Sequence, residues 1–224
     1  MEIIEKSPYY PKYRSRYEAL LREFCTLALR EPCDVLDIGG GQLGLLAKVL
    51  WGDRVTVSDI GGDHLDFLRE QSVRVIEWNL CADQAPFNHE FDFVFFSEVI
   101  EHLPIPGHQV LQRIRTALRM GGTLICSTPN LYRPRNIVYM MLGKRIFDYF
   151  RSPTNQGLGH IVEYDRDHLR WQFERAGFQQ VRIDLRQFPH RIGSPMFRVL
   201  GWLGSPIHLI PRFRDNLVAV ARNG

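Results

Sequence analysis

The ten residues Val35-Leu-Asp-Ile-Gly-Gly-Gly-Gln-Leu-Gly44 constrain this chain more than any other stretch. An apolar run, Cys33 to Ile38, reads as a buried strand. It carries an acid, Asp37, at its end and then breaks into glycines. A helical pattern follows, with Leu43, Leu46, Ala47 and Leu50 on one face. Strand, Gly-rich turn and helix form the nucleotide-binding corner of an open α/β sheet. Gly39-x-Gly41-x-x-Gly44 also satisfies the dinucleotide spacing, which alone is a weak signal. Asp37 argues for a different ligand. A carboxylate beside the turn repels a pyrophosphate and attracts a cation. The alternative is an ordinary Gly-rich turn.

The length of 224 residues suggests one domain, or one plus an insertion. A hydrophobic share of 45% is enough to bury a substantial core. No apolar run approaches the roughly 20 residues of a membrane span. The start, Met1-Glu-Ile-Ile-Glu-Lys, lacks the basic-then-apolar order of a signal peptide. Cys25, Cys33, Cys81 and Cys126 show no C-x-x-C spacing. They read as buried thiols in a reducing compartment, which points to the cytoplasm.

The net charge of +3 hides an asymmetry. Residues 1–130 hold 13 Lys/Arg and 18 Asp/Glu, a balance of −5. Residues 131–224 hold 15 and 7, a balance of +8. A basic C-terminal half suits an anionic partner: a phosphorylated substrate, a nucleic acid or an anionic lipid surface. A solvated surface with a chance imbalance is the plainer explanation.

Periodicity places an amphipathic helix at 12–29 and strands at 54–58, 73–77, 91–96 and 123–127. Helices are expected at 63–70 and 107–119, the latter stopped by Gly121-Gly122. Residues 131–163 are Arg- and aromatic-rich with little periodicity, and read as an insertion. A helix at 165–176 and strands at 179–185 and 216–222 complete the pattern. A second insertion, 188–214, contains the apolar segment Pro195 to Pro211, broken by proline and glycine. It reads as a cover over the site or a subunit contact, which allows a homodimer; a membrane anchor is the alternative. The alternation argues for a mostly parallel sheet with helices on both faces.

Asp59 ends the second strand, where an acid can accept both ribose hydroxyls of a nucleoside. It could equally cap a helix. Asn79, after the third strand, could bond an adenine edge or simply form a turn. Asp37-x-Gly39-x-Gly41, Asp59, Phe91-Asp-Phe-Val, Glu98-Val-Ile-Glu-His-Leu-Pro104 and Met120-Gly-Gly-Thr-Leu occur in a familiar order and spacing. Over roughly residues 33–130 the chain resembles class I S-adenosylmethionine-dependent methyltransferases. Gly159-His160 to Gly177-Phe178 resembles the segment this family carries before its sixth strand. One departure is Leu43, where many members place a third glycine; Gly44 follows it.

The resemblance implies a single Rossmann-like domain over 1–224, with a seven-stranded sheet whose last strand is antiparallel. It implies that Asp37, Gly39 and Gly41 lie by the methionine part of S-adenosylmethionine. Asp59 would take the ribose, Asn79 and Leu80 would flank the adenine, and Ile60 and Ser97 would also contact the cofactor. The sulfonium and amino group of that cofactor fit an acid at Asp37.

Glu98, Glu101 and His102 share one face if the turn after the fourth strand is helical. Two carboxylates so close raise one pKa, and a divalent cation relieves the repulsion. Oxygen and nitrogen ligands suit magnesium, manganese or a similar ion. His160, in the Gly-rich stretch Gly157-Leu-Gly-His160, is a candidate fourth ligand. This pattern resembles the small-RNA 2′-O-methyltransferases and the ubiquinone-pathway O-methyltransferases, in which it implies a metal clamping neighbouring hydroxyls. Without a metal, the cluster would structure the loop and leave His102 as a general base.

The expected reaction is methyl transfer from S-adenosylmethionine to a hydroxyl of a small molecule: a sugar, a natural product, or a phenol or quinone precursor. Ser127-Thr-Pro-Asn130 and the insertion after it resemble polysaccharide-cluster methyltransferases. His102, His160 and Glu98 are the catalytic candidates. An anionic acceptor would meet Arg133, Arg135, Lys144, Arg145 and Arg151 near the entrance. RNA is the alternative acceptor, with Tyr132 and Tyr139 as stacking residues. An NAD(P)-dependent oxidoreductase is disfavoured by Asp37 and by the absence of any Tyr-x-x-x-Lys pair. A cofactor-binding, non-catalytic subunit is the third reading.

Overall fold

The computed structural model describes residues 10–28, 32–52, 54–61, 64–82, 84–148, 159–188, 207 and 209–224. Helix α1 (Tyr10–Leu27) precedes β1 (Asp34–Ile38), α2 (Gln42–Trp51), β2 (Arg54–Asp59), α3 (His64–Glu70) and β3 (Arg74–Glu77). Then come β4 (Phe91–Ser97), a 3-10 turn (Ile100–His102), α4 (Gly107–Ala117), β5 (Leu118–Pro129) and α5 (Pro134–Met141). Helix α6 (Arg166–Arg175), β6 (Phe178–Arg186), a second 3-10 turn (Pro211–Phe213) and β7 (Asn216–Asn223) follow.

The seven strands form one sheet in the order β3-β2-β1-β4-β5-β7-β6. Strands β1 to β5 pair in parallel, and β7 runs antiparallel to both neighbours. The expected architecture is present. Alternation along the strands splits the core into two layers. Leu36, Ile38, Val94 and Phe96 pack with α4 and α6 on one face. Val35, Val57, Phe93 and Phe95 pack with α1, α2 and α3 on the other. Strands buried on both faces explain the continuous apolar runs.

Several boundaries differ from expectation. Helix α1 spans Tyr10–Leu27 and is kinked at Tyr13. Helix α4 ends at Ala117, and the chain turns directly into β5 at Leu118. Gly121 and Gly122 therefore lie inside a strand, near the register shift between Phe91 and Phe93. A Cβ on Gly122 would sit 3.1 Å from the Phe91 carbonyl of β4, and Gly121 has φ +76°. Gly122 serves a close strand approach and Gly121 a left-handed backbone, and neither stops the helix. Leu50 is exposed, and Leu45 takes a buried place on α2. The first insertion contains a true helix, α5. Of the four thiols only Cys126 is buried; Cys25 is exposed, and Cys33 and Cys81 are partly so. All four are free, consistent with the absence of a disulfide framework. Residues 189–206, most of the second insertion, lie outside the described residues.

Candidate active site

A cavity of about 920 Å³ opens at the carboxyl ends of β1, β2, β4 and β5, under α1. This is the crevice where the strand order reverses, between β1 and β4. Its wall holds Asp37, Gly39, Gly40, Asp59, Ile60, Ser97, Glu98, Glu101, His102 and His160. Gly41 lies in the same turn, immediately before α2. Asn79 and Leu80 do not line it. Leu80 is buried in the core and the Asn79 side chain accepts from the Cys81 amide at 3.0 Å.

The glycine turn builds one side of the cavity. Gly39 has φ +86°, and a Cβ there would lie 2.5 Å from Val99 Cγ2. A side chain would thus meet both a strained backbone and a neighbouring loop. Gly44 is needed for contact: a Cβ there would lie 2.7 Å from Val55 Cγ1 and 3.0 Å from Asp37 Cβ. That closeness lets the Gly44 amide donate to Asp37 Oδ2 at 2.8 Å. Helix α2 has no cap from its own side chains, so Asp37 on β1 supplies one. Burial pushes the Asp37 carboxyl up to about 7, against the pull of the Gly44 and Leu43 amides. Asp59 accepts from Gly40 N at 3.0 Å and from its neighbour Ile60 N at 2.7 Å. It braces the turn from the second strand.

Beyond β4, Glu98 has φ +56°. This residue stands before the 3-10 turn rather than in it, so it leaves the face shared by Glu101 and His102. Its carboxylate accepts from Ser127 Oγ at 2.9 Å and pairs with Arg16 at 2.9 Å. Ser97 Oγ bonds Ser127 Oγ at 2.7 Å. Glu101 is wholly buried. Its Oε2 accepts from Thr128 Oγ1 at 3.0 Å, but its Oε1 has no hydrogen-bond partner. Burial, then the like charge of Glu98, holds its carboxyl well above the usual range.

His160 does reach the cluster. Glu101, His102 and His160 each offer a ligand atom within 4.8 Å of the others. His102 Nδ1 lies 3.0 Å from the Gly159 carbonyl, so that nitrogen carries the proton and Nε2 keeps its lone pair. Nε2 faces Glu101 Oε1 at 3.8 Å. Burial lowers the His102 pKa, so the ring is held neutral. His160 Nδ1 lies 3.2 Å from Glu163 Oε1. Glu163 is also gripped by Arg133 and Asn136. Burial raises its pKa, but the bonds from His160 and Asn136 and the charge of Arg133 outweigh this and lower it.

Of the basic residues expected at the entrance, Arg133 and Arg135 line the cavity. Lys144 and Arg145 are exposed and off its wall. Arg151 lies outside the described residues. Sequence reasoning missed Arg16, Tyr17 and Glu163. Arg16 comes from α1, and its guanidinium lies 4.5 Å from the Tyr13 ring centroid. Nothing in its local sequence marks it; only the packing of α1 over the cavity brings it to Glu98.

An inserted antiparallel β7, acids at the ends of β1 and β2 and a crevice at the strand reversal define the class I methyltransferase fold. The chain belongs to the methyltransferase-domain family, which it matches over residues 10–183. It is an S-adenosylmethionine-dependent methyltransferase. Among solved structures it resembles a SAM-dependent methyltransferase from Archaeoglobus fulgidus at 19% identity and TM-score 0.60, covering 96% of this chain and 97% of that one. A putative methyltransferase from Haloferax volcanii, solved with its Trm112 activator, gives 18% identity, TM-score 0.65 and coverage of 95% and 90%. Phosphoethanolamine N-methyltransferase 2 from Haemonchus contortus, solved with S-adenosyl-L-methionine, gives 15% and 0.62, covering 92% of this chain and 52% of that one. No curated protein matches the chain in sequence.

Proposed function

We propose that this enzyme methylates a hydroxyl oxygen of a small molecule, assisted by a divalent cation held by Glu101, His102 and His160. The observation that carries this reading is the buried, partnerless Glu101 Oε1 facing two imidazoles. Both rings have their Nδ1 engaged by an acceptor, which fixes the tautomer and turns Nε2 toward a ligand. A buried carboxylate oxygen without a donor is costly, and a cation would satisfy it. Two imidazoles and a carboxylate suit a divalent transition metal or a similar ion. Glu98, also expected as a ligand, is instead neutralised by Arg16.

S-adenosylmethionine supplies the electrophilic sulfonium methyl. A cation in this site would lower the pKa of an acceptor hydroxyl and orient it. The protein does the rest by positioning. Asp37 and the amides of the glycine turn shape the donor side, and Asp59 offers a carboxylate to ribose hydroxyls. Arg135 presents charge on the acceptor side. The RNA alternative is weaker here: Arg135 already stacks on Tyr139 at 4.7 Å, and Arg212 on Tyr132 at 4.9 Å. These aromatic faces are covered by the protein's own guanidinium groups.

Turnover should vanish in chelator and return with magnesium or manganese. Calorimetry on the unliganded enzyme should show one metal site, lost in Glu101→Gln and His160→Ala, with cofactor affinity unchanged. Full activity in chelator, with no metal uptake, overturns the metal. His102, neutral and with Nε2 available, would then be the general base. Methylated nitrogen in the product would overturn the hydroxyl acceptor.

A further inference from the structure

Helix α5 is held to the fold by a polar side chain. Asn136 is its one buried residue, while Val138, Met141 and Leu142 are exposed. An ordinary surface helix does the opposite, hiding its apolar stripe and showing its polar one. Both ends of the Asn136 amide are engaged. Its Nδ2 donates to the Leu131 carbonyl at 2.9 Å and to Glu163 Oε2. Its Oδ1 accepts from Arg133 Nε at 3.3 Å. The donor end of the amide therefore faces Glu163.

Glu163 is a carboxylate with a side chain 0% exposed. Three donors converge on its two oxygens: Arg133 and His160 Nδ1 on Oε1, and Asn136 on Oε2. Glu101 has an oxygen without a donor, whereas both oxygens of Glu163 are taken. Among the described residues the cluster of ligand atoms is Glu101, His102 and His160, and Glu163 stands behind it. A buried ion pair stabilises a fold no better than apolar residues of similar volume, so Arg133 and Glu163 are not explained by stability.

The backbone of His160 is fixed separately. Its amide donates to Asp148 Oδ2 at 3.0 Å, and its carbonyl accepts from the Asp148 amide at 2.9 Å. The next two amides, Ile161 and Val162, donate to the Glu101 carbonyl at 2.9 and 3.2 Å. These bonds set the main chain of His160 beside Glu101 and leave the imidazole free to turn. The hydrogen bond to Glu163 is what orients the ring.

We propose that Glu163 is the positioning residue of the cation site: it holds His160 with Nδ1 protonated and Nε2 turned to the ion, and Asn136 and Arg133 hold Glu163 in turn. The inference rests on the cation reading given above. An anionic acceptor behind a ligating imidazole fixes its tautomer and makes it a stronger ligand. Glu163→Gln removes this. Glutamine offers one oxygen to three donors and sets its own NH2 against the others.

The test uses the full-length chain, with manganese(II) as the probe for calorimetry and long-range proton–nitrogen NMR of the metal-free protein for the His160 ring. The buffer is held well above the ordinary imidazole pKa. The wild type should show a single Nδ1–H tautomer at His160, and Glu163→Gln a mixture of both. His102, held by the Gly159 carbonyl, should keep its tautomer in the variant and serve as the internal reference. Manganese(II) affinity should fall about ten- to a hundredfold in Glu163→Gln, with S-adenosylmethionine affinity unchanged. If that variant does not fold, Glu163→Asp replaces it with the same expectation, because the shorter side chain pulls the acceptor back from His160. A wild type that takes up no manganese(II) overturns the cation reading, and this role falls with it. A wild type that binds the ion, beside a folded variant that binds it equally or keeps one His160 tautomer, overturns the positioning role alone. Glu163 would then only staple α5 to the chain beside His160.

Discussion

At the end of β1, Asp37 caps a helix from a neighbouring strand and borders the cofactor cavity at once. Unfolded, it loses its proton near its ordinary 3.8; folded, burial raises that to about 7. Between these values the folded chain holds a proton that the unfolded chain has released. Stability therefore falls as pH rises through this window, and the penalty is complete above about pH 7. A bound sulfonium and ammonium favour the ionised form, so cofactor binding should expel this proton. Affinity for S-adenosylmethionine should rise by up to about tenfold per pH unit below 7 and level off above it. Calorimetry in two buffers of different ionisation enthalpy reads the released proton, and Asp37→Asn should abolish both effects. Arg16 and Glu98 make a second residue-scale case. Their side chains are 11% and 19% exposed, so the pair is largely buried. Arg16→Ala should cost about 3–5 kcal/mol in urea unfolding by stranding a carboxylate beside Glu101. Arg16→Ala/Glu98→Ala should cost less than the sum of the single changes, and strict additivity would show that the ion pair contributes nothing.

At the scale of elements, periodicity located β1, β4 and β7 most plainly because they are buried on both faces, whereas β3 and β6 are partly exposed. It placed the end of α4 too late because glycine can stop a helix or open a strand to a close neighbour. The pairing of Leu118 with Phe91 decides between them. It missed α5 because that helix carries its apolar stripe outward, and no local pattern says which face is in. The three-residue step from Glu98 to Glu101 was legible, but the shared face was not. The left-handed backbone at Glu98 starts the turn two residues later. Gly44 gives the test at this scale. Alanine in a helix normally gains about 1 kcal/mol over glycine. Here the added Cβ meets Val55 and Asp37 within 3.0 Å, a clash that costs about 1–3 kcal/mol. Gly44→Ala should therefore be net destabilising and should weaken cofactor binding by displacing Asp37. A higher melting temperature would show that the β1–α2 corner is looser than its packing indicates.

For the whole molecule, cofactor and fold are linked by mass action. S-adenosylmethionine at a hundredfold excess over its Kd should stabilise the enzyme by about 2.7 kcal/mol, while NAD should give no shift. A thermal shift with NAD alone would contradict the family assignment at the level of the ligand. The antiparallel last strand was implied by the family resemblance alone. The sequence by itself determined the strands of a mostly parallel sheet and the donor corner, which follow from local rules: alternation, glycine in a turn, and an acid at a strand end. It also named His160, but not its reach. That depends on loop closure, seen where Gly159 meets His102 across 57 positions. Only the tertiary structure set Arg16 against Glu98, left Glu101 Oε1 without a donor and turned the apolar side of α5 to solvent. Each of these is a contact, or a missing contact, between parts distant in the chain. Local preference carries no information about such pairs until packing fixes the distance between them.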